Sequence, residues 1–378
     1  MDSAKPSQDL VRALTDEHVL TALMRHRRLT RAELAAAIGI SKPTAGESVR
    51  RLTERGLLVD TGERTVGGRG RGRVGSYYAL APTAGVALAV TITSAGVVTE
   101  CLDIYGDTVA RAVREIDRPA HPDQVAAALR DAVAQVGDSA GGPVRLAVIA
   151  AADPVDRDTG RLVQLPDAPF LVGELDPAAI LAPLQVIVDN DVNWAALAER
   201  AEQAARCDFA YLYLGEGLGC AIVSDGEVRR GHHGLAGEIA HLLTVGPHGR
   251  AIRFIEVFGE LGLRRDGSTA IDVERLLACG SDSRQVIGEA VAGVIAAIVA
   301  LADPQEIIIG GSWGPQLIDS IRAATAGLPR PAPVRAATPD GNPVLSGVRA
   351  EALRRLQGAV VRTGTPGPAP APRPTAAR

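Results

Sequence analysis

Little in this sequence is built for crosslinking or for a membrane. Its four cysteines, Cys101, Cys207, Cys220 and Cys279, are scattered through 378 residues with no short spacing, which argues against a disulfide framework and against a zinc knuckle. Reduced, buried thiols in a cytosolic, cytoplasmic protein are the expectation. The N-terminus lacks the features of a signal peptide, and the apolar runs are interrupted before they would span a bilayer. No membrane partner is expected. Strong net charge is also missing, at −4 overall. That near-balance hides an asymmetry: residues 1–80 hold 14 Lys and Arg against 9 Asp and Glu, a net +5 that leaves the remainder at −9. Only the front of the chain is suited to a polyanion. With 46% hydrophobic and 22% charged residues, the chain can bury more than one core, and two or three domains are expected.

What is present begins at Thr30. Thr30-Arg31-Ala32-Glu33 is a capping box, Leu34, Ala35 and Ile38 recur on one helical face, and Gly39 supplies the left-handed stop. Ser41 caps a second helix with the seam Ala45, Val49 and Leu52, ended by Gly56. This pattern puts Lys42, Thr44, Ser48, Arg50 and Arg51 on exposed faces, where they suit phosphates and base edges. Two short strands follow, Leu57 to Val59 and Ser76 to Leu80, enclosing a Gly-Arg run whose Arg69, Arg71 and Arg73 suit a narrow minor groove. Taken alone, such a run reads as a solvated linker; next to two short capped helices it reads as the wing of a helix-turn-helix. Upstream, Val19, Leu20, Leu23 and Met24 predict a first helix packed behind the pair, after a polar lead-in that becomes helical near Gln8, where Leu10, Val11 and Leu14 share a face.

Pro82 marks a boundary, after which the pattern changes. Strands are predicted over 85–93, 97–102 and 108–116, a helix over 124–136, and strands over 144–150 and 185–189. A helix over 192–205, strands over 209–214 and 219–224, an apolar helix near 287–302 and a strand over 306–309 complete an α/β rhythm. The division is 1–81 for a winged helix-turn-helix, 82–358 for the α/β part and 359–378 for a disordered Pro- and Ala-rich tail.

Polar clusters stand at strand ends, where open α/β sheets place ligands. Asp189-Asn190-Asp191-Val192-Asn193 joins a strand to a helix, and Asp191 reads equally as an N-cap. Gly215-Glu216-Gly217-Leu218-Gly219 is a Gly-rich turn in which Glu216 would repel a phosphate. Glu238 and His241, three apart, read by themselves as a surface ion pair.

Order and spacing say more than any one cluster. Asp153-Pro154-Val155-Asp156, the run from Asn190 to Glu199, Leu214 to Gly219, Gly237-Glu238-Ile239-Ala240-His241-Leu242, and Asp303 to Gly311 occur in the order found in the ROK family (repressor, open reading frame, kinase), which the chain resembles from Gly85 to about Leu356. The resemblance implies an α/β fold with an N-terminal winged helix-turn-helix followed by a two-lobed actin-like (ribonuclease H-like) ROK domain. It further implies that Asn190, Asp191, Glu238 and His241 bind sugar hydroxyls, with a further family Glu falling at Glu260 and Glu256 competing for that place. In family kinases the residue matching Asp191 is also the base.

Departures from the family pattern set the expected function. Ala87 replaces the Asp of the kinase phosphate loop, whose glycines are missing, and Glu216 stands where kinases keep a phosphate-holding Thr. The family's zinc-binding cysteine positions hold Ala251, Arg253 and Phe258, so neither a metal nor a cofactor is expected. Ala152-Asp153 replaces the usual Pro-Gly and alters one wall of the pocket. The resulting expectation is a non-enzymatic, sugar-responsive DNA-binding regulator, a repressor acting as a homodimer or higher oligomer, with a duplex operator and a sugar or sugar phosphate as partners. The alternatives are a ROK sugar kinase with an attached DNA-binding domain and a regulator whose sugar pocket has decayed.

Overall fold

The computed structural model describes residues 8–65, 75–165, 170–202, 207–338 and 341–364. At the front, α1 (Gln8–His26), α2 (Arg31–Ile38) and α3 (Lys42–Glu54) pack around Val19, Leu20, Leu23, Leu34, Val49 and Leu52, all fully buried. Each helix contributes one apolar stripe, and burying each large side chain is worth about 1.5–3 kcal/mol. Both predicted caps form. The Thr30 hydroxyl accepts from the Glu33 amide at 3.2 Å while the Glu33 carboxylate accepts from the Thr30 amide at 2.8 Å, and Ser41 Oγ accepts from the Thr44 amide at 3.2 Å. The lead-in and the first helix are one element, on which Leu10, Val11 and Leu14 stand about half exposed. The wing is a three-stranded antiparallel sheet, β1 (Arg28–Thr30), β2 (Leu58–Arg64) and β3 (Ser76–Leu80), in the order β1-β3-β2.

The first lobe contains β4 (Val86–Thr93), β5 (Gly96–Leu102), β6 (Thr108–Glu115), α4 (Pro122–Asp138), β7 (Val144–Ala151), α5 (Pro177–Ile180) and β8 (Gln185–Asn190). Its sheet runs β6-β5-β4-β7-β8, an antiparallel meander extended by two parallel strands. Then α6 (Asp191–Glu202) leads to the second lobe, with β9 (Phe209–Leu214), β10 (Leu218–Ser224), β11 (Glu227–Val228), the hairpin β12 (Leu243–Val245) and β13 (Ala251–Arg253), α7 (Phe254–Glu260), α8 (Val273–Leu277), α9 (Ser281–Ala302), β14 (Glu306–Gly310), α10 (Ile318–Thr325) and β15 (Val334–Ala336). Its sheet runs β11-β10-β9-β14-β15. Counted from its own first strand, each sheet has the order 3-2-1-4-5, so the two lobes repeat one topology. Among the described residues one helix, α9, is by length and composition apolar enough to cross a membrane, contrary to the expectation that the apolar runs are interrupted before they would span a bilayer. Ile287, Val291, Val294 and Ile295 are buried in the second lobe's core, which accounts for its composition.

Finally α11 (Pro343–Gly364) returns to the first lobe, lies over β4 and β7, and reaches α1. Val348, Ala352, Leu356 and Val360 on α11 share one buried cluster with Ala87, Ala89 and Val148 of the first lobe and with Leu20 and Leu23 of α1. The division expected between residues 81 and 82 is therefore a change of architecture within a continuous core. The tail expected from residue 359 begins too early, because α11 continues to Gly364 with Val360 2% exposed. Residues 365–378 lie outside the described residues. Polar contacts reinforce the junction: Tyr105 Oη accepts from the Leu80 amide at 3.0 Å and donates to the Arg27 carbonyl at 3.1 Å, Arg27 pairs with Asp107 at 2.8 Å, and Arg55 donates to the Thr363 carbonyl.

Candidate functional site

Between the lobes lies a cleft of about 570 Å³ whose lining includes Asn190, Asp191, Glu238 and His241. Each is placed by local chain chemistry. At the junction of β8 and α6, Asn190 Oδ1 accepts from the Val192 amide at 3.0 Å, so Asn190 is the helix cap and the Asp191 side chain is left for the cleft. The Asn190 amide also reaches the carbonyls of Ala151 and Asp153, at 3.4 Å each. Glu238 precedes and His241 ends the 3₁₀ turn Ile239–His241, and this short turn holds both at the cleft. Gly237, at φ 98°, lets this turn press against β10: a Cβ there would stand 1.8 Å from the Cys220 carbonyl oxygen.

The structure does not bring Glu260 to this cleft. It ends α7 and pairs with Arg250 at 3.0 Å, while Ile255 of the same helix lines the site. Five residues on a helix rotate the side chain by roughly 140°, away from the face that Ile255 uses. Glu256 is spent on capping α7, accepting from the Arg253 amide at 3.1 Å. Arg118, Arg265, Glu274 and Phe170 line the cleft without any signal in the local sequence.

Three carboxyl groups in the cleft are shifted upward. Burial raises Asp191 from its ordinary value to about 7, helped by the negative charges of Asp153 and Glu238 and opposed by the Val192 amide. Burial and the neighbouring Asp153 likewise raise Glu238 to about 7. Asp153 is pushed to about 6 by burial, opposed only by the Leu171 amide. Among the described residues the His241 ring makes no hydrogen bond, and no group of three His, Cys, Asp or Glu is placed to hold a metal ion.

At the mouth, Glu216 of the second lobe accepts from Ser94 at 3.1 Å and from Arg118 at 2.8 Å, both in the first lobe, and from Arg265 of its own lobe at 2.7 Å. Arg118 also donates to the Ser94 carbonyl at 3.1 Å. A carboxylate thus occupies the turn facing the β4–β5 connection and closes it with its own cations.

On the helix-turn-helix the structure sorts the candidate contacts. Lys42, Thr44 and Arg50 are exposed on α3. Arg50 pairs with Glu47 at 2.9 Å and Glu54 at 2.7 Å, exposed ion pairs of about 0–1 kcal/mol each that a phosphate can replace. Ser48 and Arg51 are corrections. Ser48 is fully buried and donates to Asp16, and Arg51 pairs with the same carboxylate at 2.6 Å, because α1 packs over that side of α3 and its buried Asp16 needs partners. Arg69, Arg71 and Arg73 lie outside the described residues.

Fold and cleft define a winged-helix protein joined to a two-lobed α/β domain of the actin-like sugar-kinase type. Residues 12–59 match the winged helix-turn-helix DNA-binding family, and residues 85–254 match the ROK family. The chain carries a ROK family domain behind an N-terminal winged helix-turn-helix. It is similar to the bifunctional enzyme NanE/NanK of Brucella suis biovar 1, 32% identical over 159 residues that cover 39% of this chain; the match spans only 30% of that enzyme's length. In fold it is similar to the crystal structure of a ROK family transcriptional regulator described as a homolog of the E. coli MLC protein, with a TM-score of 0.61, 19% identity, and coverage of 95% of this chain and 100% of that one. A ROK family glucokinase from Streptomyces griseus in complex with glucose and AMPPNP follows, with a TM-score of 0.54, 24% identity, and coverage of 71% and 100%.

Proposed function

We propose that this protein is a sugar-responsive transcriptional regulator, a cytoplasmic repressor that binds a duplex operator as a homodimer or higher oligomer and whose ROK domain senses rather than phosphorylates its sugar. One observation carries the reading: Asn190, Asp191, Glu238 and His241 share a cleft in which Glu216, bound to Arg118, Arg265 and Ser94, stands where a kinase keeps a phosphate-holding Thr. Each carboxylate can accept from two neighbouring hydroxyls, and a charged hydrogen bond is worth about 1.5–3 kcal/mol net. The sugar's grip on α6 has a route to the DNA reader, since α6 starts at Asp191, packs on α11, and α11 packs on α1. In a dimer, a change there would alter the spacing of two readers whose half-sites lie about 34–36 Å apart. Lys42, Thr44 and Arg50 are the α3 residues proposed to meet the operator, with Arg69, Arg71 and Arg73 proposed for the minor groove. The sugar must bind the two arrangements with different affinity. A DNA shift assay on genomic fragments selected by the full chain, repeated with a sugar panel, tests this; if no sugar changes the shift, the sensor half is lost.

A sugar kinase is the second reading, favoured by the half-buried, cleft-lining Asp191, whose carboxyl, raised to about 7, suits a base, and by the similarity to NanE/NanK. ATP turnover with the same panel would establish it, and Glu216 opposes it by standing in place of the phosphate-holding Thr and engaging Arg118 and Arg265 itself.

A further inference from the structure

Asp153 is the group in the cleft that sugar hydroxyls alone leave unexplained. It is 4% exposed yet lines the cavity. One oxygen accepts a single long bond from the Leu171 amide at 3.4 Å, and among the described residues no donor meets the other. A buried carboxylate costs several kcal/mol unless something compensates its charge. Among the described residues, no cation of the wall is bonded to Asp153. Asp153 acts electrostatically on both Asp191 and Glu238, so three carboxyl groups crowd one region. Arg118 and Arg265, which line the cleft, are turned to Glu216 at its mouth and not to Asp153.

Resting on the sugar-sensing reading, we infer that the effector carries a positive charge: the cleft is built for a sugar bearing a free amine, with Asp153 as the residue that selects the ammonium over a hydroxyl or an acetamide. An ammonium has three donors for these acceptors and supplies the missing countercharge. A neutral hexose would satisfy the hydroxyl-binding groups but leave Asp153 without compensation.

Calorimetry on the full chain at pH 7.5 tests this with glucosamine, mannosamine and galactosamine, their N-acetyl forms, and glucose, mannose and galactose. At least one free amine should bind about tenfold or more tighter than both of its neutral counterparts. Asp153→Asn should collapse that ratio to near one, while Asp153→Glu, which keeps the charge, should retain part of it; circular dichroism of both variants verifies that they are folded. Equal binding of amines and neutral sugars overturns the inference and leaves the sugar-sensing reading standing. A preference that survives in Asp153→Asn overturns it too, as does calcium or magnesium binding alone with the same dependence on Asp153. Failure of all nine sugars to bind overturns both this inference and the reading beneath it.

Discussion

Glu216 and Arg118 meet at 2.8 Å across the mouth of the cleft, one from each lobe, and Ser94 joins them from the β4–β5 turn. Glu216 is only about a fifth exposed, so this contact is less screened than a surface pair. Glu216→Ala removes the acceptor for three donors and should let the lobes part, at a cost of about 1–3 kcal/mol in stability. Small-angle scattering should show a larger radius of gyration for the variant; an unchanged profile would mean that the pair does not hold the cleft.

Different α3 residues should fail in different ways. Lys42→Ala and Arg50→Ala should weaken operator binding and flatten its salt dependence by about one unit of slope each, with little change in melting temperature. Arg51→Ala or Ser48→Ala should instead lower the melting temperature by uncovering Asp16, a loss of about 1–3 kcal/mol. Shift assays at several salt concentrations beside thermal melts separate the two classes.

The contact between α6 and α11 leaves no room for a side chain at Gly347. A Cβ there would lie 2.0 Å from the Trp194 carbonyl oxygen, and Trp194 is itself pinned by the bond from its indole N–H to the Ile149 carbonyl at 3.1 Å. Gly347→Ala should cost about 1–3 kcal/mol by forcing the helices apart. If this crossing transmits the sugar signal, the variant should also respond less to sugar in the shift assay; an undiminished response would place the route elsewhere.

Protonation of the cleft gives a signed pH effect. Asp153, Asp191 and Glu238 keep protons in the folded protein, with values of about 6, 7 and 7, that the unfolded chain releases from about pH 4 upward. Their contribution to stability therefore falls as pH rises from about 4 to about 7 and is flat beyond. Asp153→Asn should stabilise the sugar-free protein by about 1–3 kcal/mol at pH 8, with the gain shrinking toward pH 4. Denaturant titrations across that range measure it, and a gain independent of pH would point to packing instead of charge.

The amino-acid sequence by itself determined the features whose cause is local. The Thr30–Glu33 and Ser41–Thr44 caps and the three-strand meander after Pro82 each depend on neighbours within a few residues, so spacing and residue type were enough, whereas the cap of α6, expected at Asp191, falls one residue earlier at Asn190. The family motifs also led to Asn190, Asp191, Glu238 and His241, which the fold brings to one cleft.

Tertiary structure decided the partners that lie far away along the chain. Ser48 and Arg51 read as surface residues because their helix has a polar side, and Asp16, 32 and 35 residues earlier, draws them inward. Glu260 fell out of the site because α7 points that part of its surface toward Arg250. Val360 and its neighbours on α11 join the front of the molecule to its first lobe through a shared core. Helical and strand periodicity specifies which stripe of an element is apolar; which element covers that stripe, and which charge meets which, is settled only when distant segments pack, because those contacts depend on three-dimensional distance and dielectric rather than on sequence spacing.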